Sequence, residues 1–107
     1  MTDEELTRRE LRRKERQQLY QSKRWKEVRN AYYQTHPLCE RCLKEGRITP
    51  AHDIHHKLSP FVKGLTPEEK ERRAFEWSNL MAVCVECHLK EHQKDMPMSQ
   101  KILKYSD

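Results

Sequence analysis

The side chains in this sequence best suited to hold metal or move protons are its four cysteines and six histidines. The cysteines form two Cys-x-x-Cys pairs, Cys39-Glu40-Arg41-Cys42 and Cys84-Val85-Glu86-Cys87. Two intervening residues let a tight turn aim both sulfurs at one ion, about 2.3 Å from each in tetrahedral zinc. Two such pairs make a closed four-thiolate shell, the signature of a structural zinc site. The second pair runs on into His88, and Cys84 to His88 also fits the Cys-x-x-Cys-His pattern by which c-type haem is attached. The first pair favours zinc, because cysteines that share an ion with Cys39 and Cys42 cannot also hold haem. A redox dithiol would explain one pair but not two.

The histidines offer a second kind of chemistry. His88 and His92 stand four apart in a segment of helical composition, so both lie on one helix face about a turn apart. Neutral imidazoles so placed are common metal ligands, although a lone pair of this kind is more often just exposed polar surface. The doublet His55-His56 falls on a strand candidate between the two cysteine pairs. Neighbours on a regular strand point to opposite faces, so both reach one site only where the strand ends or distorts. Ser59-Pro60 makes such an ending plausible. His36 and His52 read as surface residues.

The elements that must position these groups are short, and the core is small. The chain has 107 residues, room for one domain, with 35% hydrophobic and 36% charged residues. Apolar burial at about 25 cal/mol per Å² struggles to offset chain entropy in such a composition, so a staple is expected. Structural zinc, worth roughly 10–16 kcal/mol in small peptides, would be one. The N-terminus has no apolar run of a secretory signal, and nothing approaches the roughly 20 apolar residues of a membrane span. A cytoplasmic protein with reduced cysteines and no membrane partner is expected. The net charge is +5, and from Arg8 to Arg29 ten Lys or Arg face three Glu. That bias favours nucleic acid, or else is a solvated helix face.

Residues 3–34 lack Gly and Pro and read as helix, in one piece or two. A basic helical arm over 1–22 precedes a single domain over 23–107. Trp25, Val28 and Tyr32 mark a buried face. "PLCERC" reads as a tight turn and Ala51 to Leu58 as a strand. A small helix follows, with Thr66 as N-cap, Pro67 at its first position and Glu69 completing a capping box. "LMAV" is a second strand running into Cys84, and helix resumes to about Asp95.

"DIHHKLSP" followed by "WSNLMAVCVECH", with "HPLCERC" and the leading Trp25 and Arg29, resembles the HNH endonuclease family, in particular its small phage-type members. The resemblance covers much of the chain, and the step from Asn79 to His88 has the family's spacing. It implies an α+β, mostly helical fold: a ββα-metal (His-Me finger) module with a four-cysteine zinc site and a long basic N-terminal helix. It implies that His56 is the general base and that Asn79 ties the loop backbone that aims it. It further implies that His55, His88 and His92 ligate one catalytic divalent ion. Three imidazoles suit Mn²⁺, Co²⁺, Ni²⁺ or Zn²⁺ better than Mg²⁺. The implied activity is metal-dependent hydrolysis of duplex DNA, leaving 5′-phosphate and 3′-hydroxyl ends. By analogy with phage-encoded relatives, a terminase would be a partner.

DNA contacts are expected from Arg8, Arg9, Arg12, Arg13, Arg24 and Lys57. The residue that holds the scissile phosphate is open among Arg24, Arg41, Lys57 and Lys90. The rival reading is a non-catalytic zinc-stabilised DNA-binding module. It accounts for the cysteines and the basic face, but has no use for His55, His56, Asn79, His88 and His92 together.

Overall fold

The structure is a computed structural model; it describes the backbone of residues 3–93 and the side chains of residues 7–91. Its helices are α1 (Asp3–Gln21), α2 (Lys23–Thr35), α3 (Glu40–Lys44), α4 (Pro67–Phe75) and α5 (Val85–Gln93). Strands β1 (Asp53–His56) and β2 (Leu80–Val83) pair in a two-stranded sheet. A single 3-10 turn, Trp77–Asn79, leads into β2. Strand, strand and helix therefore follow in the order that the resemblance implies. No helix among the described residues is long and apolar enough to cross a membrane.

The helical N-terminal region breaks at Ser22. Its hydroxyl donates to the Leu19 carbonyl (2.6 Å) and accepts the Trp25 N–H (3.2 Å). A serine side chain that satisfies an otherwise orphan N–H in the first turn is a strong helix start, so α2 begins anew there. The α4 start is as the sequence predicts. Thr66 accepts from Glu69 N–H and the Glu69 carboxylate accepts from Thr66 N–H, both at 3.2 Å.

Two local differences have clear causes. The "PLCERC" segment is more than a turn, because Cys39 opens the short helix α3. β1 is four residues long, not eight. Before it, Ala51 N–H is taken by the Pro37 carbonyl (2.9 Å), and after it Lys57 N–H turns to the Asn79 carbonyl (2.8 Å).

The chain divides into two compact units. One contains residues 1–32 and 56–80. Its centre is Trp25, Tyr32, Ala74, Leu80 and His56, all buried. Tyr32 donates its hydroxyl to the Leu80 carbonyl (3.1 Å), and Lys70 on α4 pairs with Glu15 on α1 (3.2 Å). The other unit contains residues 33–55 and those from 81 on. It centres on the four cysteines with Val83. Leu38 and Pro50 form a β-bridge, and the Glu40 carboxylate accepts the Ala82 N–H (2.6 Å). Arg41 on α3 pairs with Glu91 on α5 (2.6 Å).

Candidate active site

In the second unit, Cys39, Cys42, Cys84 and Cys87 are all buried, with their sulfurs within 4.8 Å of one another. Sulfurs about 2.3 Å from a tetrahedral ion stand about 3.8 Å apart. Cys42 Sγ lies 3.8 Å from the sulfurs of both Cys84 and Cys87. The donor set and its spacing fit a metal ion. The pairs converge because α3 starts just after Cys39 and α5 just after Cys84, so each supplies one cysteine before and one within a helical first turn. Hydrogen bonds from Thr49 and then Arg47 lower the Cys42 thiol to about 6, and burial pushes Cys87 upward. The Arg47 guanidinium stands 3.7 Å from Cys42 Sγ. Cys42 is therefore more ready than Cys87 to act as thiolate.

The same unit brings His55 and His88 together. Their ring centres are 5.4 Å apart at 67°. Two imidazoles sharing one ion, each bonded at about 2.1 Å, place their ring centres about 5 Å apart, so this pair fits a divalent metal. His92 stands one turn beyond His88 on α5, and its side chain lies outside the described residues.

In the first unit, His56 is 8% exposed. Its ring stacks on Trp25, with centres 4.7 Å apart and planes at 29°. Its Nε2 lies 3.0 Å from the Ala74 carbonyl oxygen. A carbonyl only accepts, so Nε2 carries the proton and the neutral ring keeps its lone pair on Nδ1. The alternation of β1 thus gives the two halves of the doublet different neighbours: His55 meets His88, and His56 meets Trp25 and Ala74. β1 ends at His56, the second member of the doublet.

The Asn79 side chain makes three hydrogen bonds to backbone groups. Its Nδ2 donates to the carbonyls of Leu58 (2.8 Å) and Arg73 (2.7 Å), and its Oδ1 accepts the Leu58 N–H (2.8 Å). The segment leaving His56 is thereby fastened to the end of α4.

A family model for HNH endonucleases matches residues 39–94, just over half of the chain. The chain belongs to the HNH endonuclease family. It is also similar to the HNH endonuclease of the deep-sea thermophilic bacteriophage GVE2, in a crystal structure with manganese ion. The two share 27% sequence identity with a TM-score of 0.68, over 88% of this chain and 95% of that one. No curated protein matches the chain.

As a member of this family the HNH chain is a DNA-cleaving hydrolase. The matched residues 39–94 include all four cysteines, the doublet, Asn79, His88 and His92. Among its expected phosphate-binding residues, three have ionic partners in the fold. Arg24 pairs with Glu71 and lies over the Phe75 ring (4.0 Å), Arg41 pairs with Glu91, and Lys90 is 3.7 Å from Glu86. Lys57 and the α1 residues Arg8, Arg9, Arg12 and Arg13 are exposed. The sequence marks Trp25 as buried but gives no sign that its partner is His56. The Ala74 carbonyl is beyond the reach of sequence reasoning, since a backbone acceptor leaves no trace in residue type.

Proposed function

We propose that this HNH chain is a metal-dependent DNA endonuclease with His56 as general base and a structural zinc on Cys39, Cys42, Cys84 and Cys87. The catalytic divalent ion is assigned to His55, His88 and His92. The observation that carries this reading is the orientation of His56, stacked on Trp25 with Nε2 against the Ala74 carbonyl. Nδ1 of the neutral ring takes a proton from water as its oxygen attacks phosphorus, the P–O3′ bond breaks in line with the attack, and the departing 3′-oxygen takes its proton from solvent. The Ala74 carbonyl then steadies the imidazolium, whose other proton remains on Nε2. The bound ion would supply positive charge to a phosphoryl oxygen and the leaving oxygen. Asn79 keeps the backbone after His56 in place, which holds the base in its attack geometry.

A three-imidazole shell favours Mn²⁺, Co²⁺, Ni²⁺ or Zn²⁺ over Mg²⁺, and the manganese in the GVE2 structure is in keeping with that order. The products assigned are 5′-phosphate and 3′-hydroxyl ends. The basic arm, residues 1–22, adds salt-sensitive and largely sequence-independent affinity. The cellular setting assigned is cytoplasmic, in phage DNA packaging beside a terminase.

A supercoiled-plasmid assay tests the reading. Protein that retains structural zinc is freed of other divalent ions and given Mg²⁺, Mn²⁺, Co²⁺, Ni²⁺ or Zn²⁺ in turn. Metal-dependent nicking that falls about 10²- to 10⁴-fold in His56→Ala is the expected outcome. Folded, DNA-binding protein that fails to cut with every one of these ions would move the assignment to the non-catalytic module. Unchanged cleavage by folded His56→Ala would remove His56 from the base position.

A further inference from the structure

α1 carries arginines at positions 9, 12, 13 and 16 and a tyrosine at 20. Steps of three, four and seven bring these residues to one helix face, whereas Arg8, Leu11 and Lys14 fall away from it. Arg9, Arg12, Arg13, Arg16 and Tyr20, with Gln17 and Gln21, form a shallow open groove along this one helix, and its lining contains no acidic side chain. Four cations on one helix face point to a polyanion. The face lacks the apolar strip by which a helix lies in a lipid surface, which argues against a membrane.

This groove is part of the body that carries the candidate base. Tyr20, 45% exposed, forms its inner end. The tyrosine ring meets those of Trp25 and Phe61 edge-on, with centres 5.9 and 5.8 Å away, and its centre is 6.2 Å from that of His56. The Arg16 guanidinium stands over Phe61 at 5.6 Å, and the Lys70–Glu15 pair fastens α1 to α4. From Arg9 to Arg16 the helix rises about 10 Å, at about 1.5 Å per residue. The face is thus long enough to meet more than one phosphate of a duplex backbone.

We propose that the Arg9–Arg12–Arg13–Arg16 face of α1, ending at Tyr20, seats the phosphate backbone of duplex DNA flanking the position cut at His56. This rests on the nuclease reading for what lies at the inner end of the groove, while the binding itself is measurable without cleavage. The arginines meet phosphate, so they position the duplex without reading its sequence.

The test uses the full zinc-loaded chain with His56→Ala, and separately His56→Asn, so that substrate survives the measurement. A labelled duplex of mixed sequence is titrated by fluorescence anisotropy across a series of salt concentrations. The variant Arg12→Gln/Arg13→Gln/Arg16→Gln is compared with Lys14→Gln, which removes charge from another face of the same helix. Glutamine keeps helix propensity, and far-UV circular dichroism verifies that α1 persists. The triple variant should bind tenfold or more weakly at low salt for any sequence. The slope of log K against log salt should become shallower by about 0.9 for each phosphate that the protein no longer neutralises. Lys14→Gln should alter neither by a comparable amount. A triple variant with the slope and affinity of Lys14→Gln overturns the proposal, as does a groove that binds single strands in preference to duplex. Failure of the nuclease reading would show separately, as absent plasmid nicking by the chain with His56 intact.

Discussion

His56 is held on two sides, by the Trp25 ring on its face and by the Ala74 carbonyl at Nε2. An aromatic pairing of this kind is worth about 0.5–1.5 kcal/mol beyond its buried area, and its larger effect here is on orientation. Trp25→Phe should keep plasmid turnover within a few-fold. Trp25→Leu should lower kcat by about tenfold or more while leaving KM nearly unchanged, since a misplaced base slows the chemical step without weakening DNA binding. Steady-state nicking rates on folded variants check the split; equal loss in both variants would reduce Trp25 to a packing residue. Cys42 gives the pH-dependent counterpart. The Thr49 and Arg47 hydrogen bonds favour its thiolate and hold it at about 6. Without the Arg47 bond the proton is held more tightly and competes better with metal. Acid-driven zinc release from Arg47→Ala should therefore have its midpoint at higher pH than in the parent chain, as followed with a chromogenic chelator. The cysteine cluster was legible in the sequence because Cys-x-x-Cys spacing is a local pattern. The partners of His56 were not legible, since helical periodicity says that Trp25 is buried but not against which ring.

Among the elements, the loop after β1 depends most on one side chain. Asn79 makes three side-chain hydrogen bonds that tie the segment after His56 to the end of α4. Asn79→Ala leaves two carbonyls and one N–H without these partners, at a cost of about 1–3 kcal/mol for each group kept from water. A fall in Tm of several degrees by calorimetry, with a larger fractional loss of turnover than the fall in folded population explains, is the expected result. A fall in stability with full specific turnover would make Asn79 a brace for the fold alone. The capping box at Thr66 and the β2 strand into Cys84 were legible, because capping and turn residues act on their own neighbours. The length of β1 was not. Hydrogen bonds to Pro37 and Asn79 claim the backbone on either side, and those partners are distant in sequence.

For the whole molecule, the proposed zinc shell would matter more than the apolar core. With 35% hydrophobic residues the chain has little else to hold the cysteine-bearing unit together. Removing zinc with a strong chelator should cause a cooperative loss of far-UV signal and of nicking. Both should return on adding zinc under reducing conditions, and neither on adding Mg²⁺ alone. Survival of the fold after complete zinc removal would show that packing suffices. The shell also joins distant parts of the chain: 41 residues separate Cys42 from Cys84, and the doublet and Asn79 all lie between them. A ribosome making this protein releases the first sulfur pair early and must read through all of that interval before the second pair and His88 exist. A product that stops before Cys84 lacks half of the cysteine cluster, together with His88 and His92. On the proposed ligand set, a chain that stops short of this point would lack DNA-cutting activity by the order of residues alone, without an inhibitor.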